Sequence, residues 1–228
     1  MRAMILAAGR GERLRPVTDR LPKPLLEVGG KPLLAWHLER LAAAGFSEVV
    51  INVSHFADLI VARIGDGAAF GLAIAYSREQ EALETAGGIA RARARLGEVP
   101  FLLVNGDVYC ECDFARLRGE QLGGRLAHLV LVPNPAHRPQ GDFSLDSGQV
   151  GNGAGARYTY AGIAVMSPAL VDGIESGTRA PLAPLLRAAA EQGRIGGELY
   201  QGVWQDVGTA ERLAALDALL AARHGARR

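Results

Sequence analysis

Two glycines and two cations near the start of the chain carry the first chemical signal. Gly9 and Gly11 follow directly on a short apolar run, and Arg13 and Lys23 come soon after, the lysine inside Pro22-Lys23-Pro24. Glycines leave backbone N–H groups bare enough to approach phosphate oxygens, and cations neutralise the charge that collects there. A polyphosphate is the ligand such a loop would hold. Two aspartates add the second signal: Asp107 in Asn105-Gly106-Asp107 and Asp206 in Trp204-Gln205-Asp206-Val207-Gly208-Thr209. Each alone could be a turn residue or a helix cap. Facing a triphosphate pocket together, they call for a cation between them, and Mg²⁺ suits all-oxygen ligands.

Strands and helices must position these groups, and the hydrophobic pattern supplies them. Met4–Ala7 reads as a first strand, and Pro32 opens a helix with Leu34, Leu38 and Leu41 on one face, stopped at Gly45. Glu48–Val53 and Leu72–Tyr76 are further strands, with a short helix over Ala57–Ile64 between them. Thr85 is expected to cap a helix running to Leu96, ahead of a fully apolar strand at Phe101–Val104. This rhythm predicts an α/β fold in which a mixed, mainly parallel Rossmann-like sheet is flanked by helices. Ligands of such sheets sit beyond the carboxyl ends of the strands, where the glycine loop, Asp107 and Asp206 all fall.

The second half changes character. Leu126–Val132 and Tyr158–Met166 read as long strands, and Ser147–Ala156 as a mobile loop or a frayed hairpin, because it has little side chain to bury. A helix at Leu182–Gln192, a strand at Leu199–Trp204 and an amphipathic helix from Ala210 to Arg223 complete the expected order. Residues 1–228 are expected to form a single domain, without internal repeats.

Composition narrows the class. With 49% hydrophobic and 21% charged residues the chain is of ordinary globular type, and its net charge of +1 offers no footprint for nucleic acid. Arg91, Arg93 and Arg95 read as a solvated helix face. Cys110 and Cys112 lie too close together for zinc pairing and read as reduced thiols, His37 as a helix-surface or packing residue, and His55 as a loop residue. No apolar run is long enough to cross a bilayer and no leader pattern is seen, so a cytoplasmic location is expected. A dinucleotide loop wants a third glycine where Leu14 stands, and an acid where strand two ends in Asn52-Val53-Ser54. The Walker lysine pattern and a G-x-S-x-G elbow are likewise missing.

The run "LAAGRGERLRPVT…LPKPLLEVGGKPL", with Glu81–Ile89 ("EALETAGGI"), Leu103–Tyr109 ("LVNGDVY") and Trp204–Thr209 ("WQDVGT"), resembles the ordered motifs of the sugar-1-phosphate nucleotidyltransferases. The likeness extends over nearly the whole chain and implies a glycosyltransferase-A-like fold. The short length and Gly141–Phe143 resemble the uridylyltransferases of cell-wall recycling that act on N-acetylmuramate α-1-phosphate. The mannose-1-phosphate guanylyltransferases are the alternative, and a non-catalytic nucleotide-sugar sensor a remote one. Glu12 stands where many members have Thr, and the sugar-phosphate segment E-E-K-P of larger relatives has no counterpart between Val150 and Gly162.

The resemblance implies transfer of a nucleotidyl group, UMP from UTP, to a sugar 1-phosphate, with release of pyrophosphate. It implies that Arg13 and the loop amides hold the departing phosphates, and that Lys23 bridges sugar phosphate and α-phosphate. Asp107 and Asp206 would hold Mg²⁺. Leu6, Ala7, Ala8, Gly9, Gly11, Glu12, Glu81, Gly87 and Gly88 would line the nucleotide site, and Asn105, Asp142 and Gly162 would face the sugar. Neither nucleic acid nor membrane is an expected partner, and a monomer or small homo-oligomer is the expected state.

Overall fold

A computed structural model describes residues 1–153 and 155–225. In chain order the strands are β1 (Ala3–Leu6), β2 (Glu27–Val28), β3 (Lys31–Pro32), β4 (Glu48–Val53), β5 (Ala73–Arg78), β6 (Phe101–Asn105), β7 (Val108–Cys110), β8 (Ala127–Val132), β9 (Phe143–Asp146), β10 (Gln149–Gly151), β11 (Arg157–Met166), β12 (Ile195–Leu199) and β13 (Trp204–Asp206). The helices are α1 (Leu33–Ala43), α2 (Ala57–Ile64), α3 (Glu84–Leu96), α4 (Phe114–Arg118), α5 (Leu182–Glu191) and α6 (Ala210–Gly225).

Nine strands form one twisted sheet in the order β5-β4-β1-β6-β11-β8-β12-β10-β9. β5, β4, β1 and β6 pair in parallel, and β12 pairs in parallel with β8. β11 runs against both β6 and β8, and the β9–β10 hairpin closes the far edge. The sheet is therefore mixed and mainly of one direction, as the strand–helix rhythm predicted. Apolar side chains on both faces of the central strands explain why helices cover both sides. Leu34, Leu38 and Leu41 of α1, Ile60 and Ile64 of α2 and Leu117 of α4 pack on one face. Ala86, Ile89 and Leu96 of α3 and Leu182 and Leu186 of α5 pack on the other. α6 lays Leu216 and Leu220 against Val28, Leu33, Tyr109 and Val207.

Several local expectations are corrected. The strand expected over 199–204 is two strands: β12 ends at Leu199 and β13 begins at Trp204, in a separate pairing with β7. Helix α3 starts at Glu84 after Leu83 without a side-chain cap, so Thr85 lies inside the helix rather than capping it. Within 147–156 the hairpin alternative is the one observed: Gln149–Gly151 is a strand paired with β9, Gln149 also pairs with Gly196, and the ladder ends at Gly151. Residue 154 lies outside the described residues. The Arg91–Arg95 face is not uniformly solvated, because Arg93 binds Asp172 at 2.6 Å, Glu98 at 2.7 Å and the Pro168 carbonyl at 2.9 Å. Cys110 and Cys112 are buried free thiols, and His37 is 2% exposed. No helix among the described residues is long and apolar enough to cross a membrane.

Candidate active site

The carboxyl ends of β1 and β6 open into a cavity of about 210 Å³ lined by Leu6, Ala7, Ala8 and Gly9 from the first loop and by Asn105, Gly106 and Asp107 from the loop after β6. These segments meet because β1 and β6 are register partners, Leu6 beside Asn105. Gly106 then donates its N–H to the Leu6 carbonyl at 2.9 Å, and a Cβ there would lie 2.6 Å from that oxygen. Only glycine allows the two loops to approach this closely.

The far wall is a buried polar pair. Asn52, at the end of β4, accepts the Ala7 N–H at 2.8 Å and donates to Glu79 at 2.7 Å. The second Glu79 oxygen accepts the Leu83 N–H at 2.9 Å. Both side chains are buried, so their hydrogen bonds fix the loop in one place. Gly88 of α3 makes room for the pair, and Gly87 packs its bare Cα against the backbone of 178–180. Neither glycine lines the cavity. Glu81 is exposed and also lies off it, whereas Glu79, Ala82, Glu84 and Thr85 line it.

Lys23 is anchored from both sides. Gly11, with φ of +71°, packs against the lysine stem, while its carbonyl accepts the Thr18 hydroxyl at 2.9 Å. The ammonium reaches Asp107 Oδ2 at 2.6 Å, from a side chain only 10% exposed. Arg13 and Glu12 sit in the exposed helical turn Glu12–Leu14. The Arg13 Nη2 lies 3.2 Å from where a Cβ on Gly208 would stand, and the Arg212 guanidinium presses on the same glycine. The glycine loop and the Trp204–Thr209 segment thus converge, as the sequence suggested.

Asp107 and Asp206 come together through backbone pairing: β13 runs against β7 with Asp206 beside Val108, and Val207 donates to the Asp107 carbonyl at 2.7 Å. Arg212 Nη1 reaches both Asp206 oxygens, at 3.0 and 2.8 Å, and His137 Nε2 lies 3.2 Å from Oδ1. Each acid therefore already holds a cationic partner. Among the described residues no group of three or more His, Cys, Asp and Glu is arranged for a metal. Asp107, in the turn between β6 and β7, and Asp206, on β13 and lining a neighbouring cavity with His137 and Arg212, are oxygen donors of the type a hard divalent cation takes, the rest of its shell being left to water and substrate phosphates.

Beside the first cavity lies a second of about 280 Å³, sharing Glu84, Thr85 and Asn105 with it. Asp142 lines this one and accepts the Tyr160 N–H at 2.9 Å. Gly162, with φ of +75°, forms the bulge in β11 where the register shifts between Tyr160 and Ala164. A Cβ there would lie 2.7 Å from the Asn105 amide, so this glycine shapes the strand around Asn105. Sequence reasoning missed Asn52, Glu79, Arg212 and His137. Arg212 had a readable signal: a cation in the first turn of a helix opposes the helix dipole and implies a local anion.

The sequence profile of the family described as nucleotidyl transferase matches residues 2–123. The chain is 52% identical to an N-acetylmuramate alpha-1-phosphate uridylyltransferase of Neisseria meningitidis serogroup B, over 97% of this chain and 99% of that one. It is 31% identical to a mannose-1-phosphate guanylyltransferase catalytic subunit beta of Xenopus tropicalis, over 91% of this chain but 61% of that protein. Among solved structures, HddC from Yersinia pseudotuberculosis complexed with GMP-PN superposes with a TM-score of 0.76 at 21% identity, over 96% of this chain and 98% of that one.

Proposed function

The chain belongs to the nucleotidyl transferase family, and from that premise we propose that it transfers UMP from UTP to N-acetylmuramate α-1-phosphate, giving the UDP-sugar and pyrophosphate. What carries this reading is the likeness of the whole chain to a uridylyltransferase, at 52% identity; it is supported by the Lys23–Asp107 pair at the cavity where β1 and β6 end, with the Asp206 strand paired alongside.

The reaction needs no covalent enzyme intermediate. A sugar-phosphate oxygen forms a new bond to the α-phosphorus, and the bond to the bridging oxygen breaks on the opposite side. Pyrophosphate departs with that electron pair. The difficulty is bringing anions together, so catalysis is positioning and charge neutralisation. Lys23, with its stem fixed by Gly11, places an ammonium between the sugar phosphate and the α-phosphate. Arg13 and the bare amides at Gly9 and Gly11 hold the departing phosphates. Asp107 and Asp206 would hold Mg²⁺, which when bound neutralises the reacting phosphoryl oxygens. The nucleoside would occupy the cavity against Ala7, Ala8 and the Asn52–Glu79 wall, and the sugar the neighbouring cavity at Asn105 and Asp142.

We place the enzyme in the cytoplasm, as one domain over residues 1–228, acting as a monomer or small homo-oligomer. Pyrophosphate release in a matrix of four nucleoside triphosphates against several sugar 1-phosphates tests the reading. Turnover with UTP and N-acetylmuramate α-1-phosphate is expected. Turnover confined to GTP and mannose 1-phosphate would overturn it.

A further inference from the structure

We propose that Arg187 is the specificity-determining residue for the sugar, receiving the carboxylate of its lactyl ether. The inference rests on the substrate reading above and adds to it a recognition group. N-acetylmuramate differs from neutral N-acetylglucosamine by a lactyl ether that ends in a carboxylate. A site that prefers the former must supply a cation at the right place, beyond the groups that hold the phosphates.

The second cavity supplies one. It adjoins the nucleotide cavity through Thr85 and Asn105, so a sugar there is within reach of the reacting phosphate. Its charged lining groups are Glu84, Arg138, Asp142 and Arg187. Three of these are already matched. Glu84 pairs with Arg179 at 3.0 Å, and Asp142 lies 3.7 Å from Arg138 while accepting the Tyr160 N–H. The Arg187 guanidinium has no anionic partner among the described residues. Glu191, one turn further along α5, is engaged by Asn152 at 3.3 Å. Among the described residues Arg187 is therefore the one lining charge left for a ligand.

The surroundings suit an amphipathic sugar. Leu182, Leu186 and Phe143 form an apolar floor that is buried in the core. Tyr160 also lines this cavity, and its hydroxyl, buried, has no hydrogen-bond partner among the described residues. Burial also holds this phenol neutral, as a donor. Arg187 rides on a helix anchored by Leu186, Ala189 and Ala190, and Asn152 holds its carbonyl at 2.9 Å. A guanidinium on a fixed helix can meet a carboxylate with two parallel hydrogen bonds.

The test is steady-state kinetics with UTP on N-acetylmuramate α-1-phosphate and N-acetylglucosamine α-1-phosphate, for the wild type, Arg187→Gln, Arg187→Lys and Arg138→Gln. Arg187→Gln is expected to lower kcat/KM for the lactyl sugar about 10- to 100-fold, the loss of one charge-assisted pair. The loss should appear in KM, with kcat and the values for the neutral sugar unchanged. Arg187→Lys should recover part of it. An equal loss on both sugars, no loss on the lactyl sugar, or a selective loss in Arg138→Gln instead, would overturn the assignment. If the wild type fails to use the lactyl sugar at all, the substrate reading itself falls.

Discussion

Replacing Gly88 by Ala adds one methyl group at the back of the nucleotide cavity, where the structure gives it no room. Its Cβ would stand 2.8 Å from the Asn52 amide nitrogen and 2.9 Å from a Glu79 carboxylate oxygen. Ordinary van der Waals contact begins near 3.4 Å, so one of two buried side chains must shift by about half an ångström. Overpacking of this kind costs about 1–3 kcal/mol, and weakening the Asn52–Glu79 bond adds about 1 kcal/mol. The better helix propensity of Ala returns about 1 kcal/mol. The net is about 2 kcal/mol, or about 4–8 °C in Tm for a chain of this size. Asn52 also holds the Ala7 N–H at 2.8 Å, so its displacement moves the loop on which the nucleotide sits. KM for UTP should rise about tenfold, with kcat less affected. Calorimetry and initial-rate kinetics read both effects, with Gly153→Ala as the control, since a Cβ there meets nothing within 4 Å. An unchanged Tm together with an unchanged KM would refute the argument that Asn52 and Glu79 have no slack.

Lys23→Met keeps the stem packed and removes the charge, so the fold should persist by circular dichroism while kcat falls by about three orders of magnitude or more; near-normal turnover would remove Lys23 from the mechanism. Asp206→Asn leaves Arg212 without its carboxylate and should raise the Mg²⁺ concentration for half-maximal rate about tenfold or more, while an unchanged titration would count against Asp206 as a ligand. His37 supplies a pH dependence of stability. Burial, and then the Arg40 charge, push its imidazole down from 6.5 to about 4, against the opposing pull of Asp107 and of a backbone hydrogen bond to Val108. Between those values the unfolded chain binds the proton and the folded one does not, so stability rises with pH through this window and the contribution saturates above 6.5. The full span is about 3 kcal/mol, and urea unfolding of wild type and His37→Gln from pH 4.5 to 7.5 should differ in slope in that range; parallel curves would show that His37 is not buried neutral.

The left half of the sheet was legible because its signals are local. An apolar run, then glycines, then a helix on a 3.6-residue period place β1, β4 and β6 and the loops at their ends. The meeting of Asp107 with Asp206 was only suggested, since about a hundred residues separate them and their contact runs through the two short strands β7 and β13. Each of these has three residues, too few to show a period. The Asn52–Glu79 wall was hidden for another reason. A buried amide and carboxylate look like surface residues in sequence, and only the packing of α3 over β4 reveals that they satisfy each other. Thr85 misled because a threonine near a helix start has the form of a cap, whereas here it sits one residue inside the helix, on the cavity wall. Gly87 and Gly88 carry a close approach of α3 to its neighbours and lie off the cavity lining, a role that sequence alone does not separate from a backbone contact to a ligand.

Pyrophosphate release by the purified protein with UTP, N-acetylmuramate α-1-phosphate and Mg²⁺, together with mass detection of the UDP-sugar, tests the central claim most directly. The account predicts stoichiometric product and pyrophosphate, lost on adding a chelator and lost in Lys23→Met. Release of phosphate instead, or no release until GTP and mannose 1-phosphate are supplied, would contradict it.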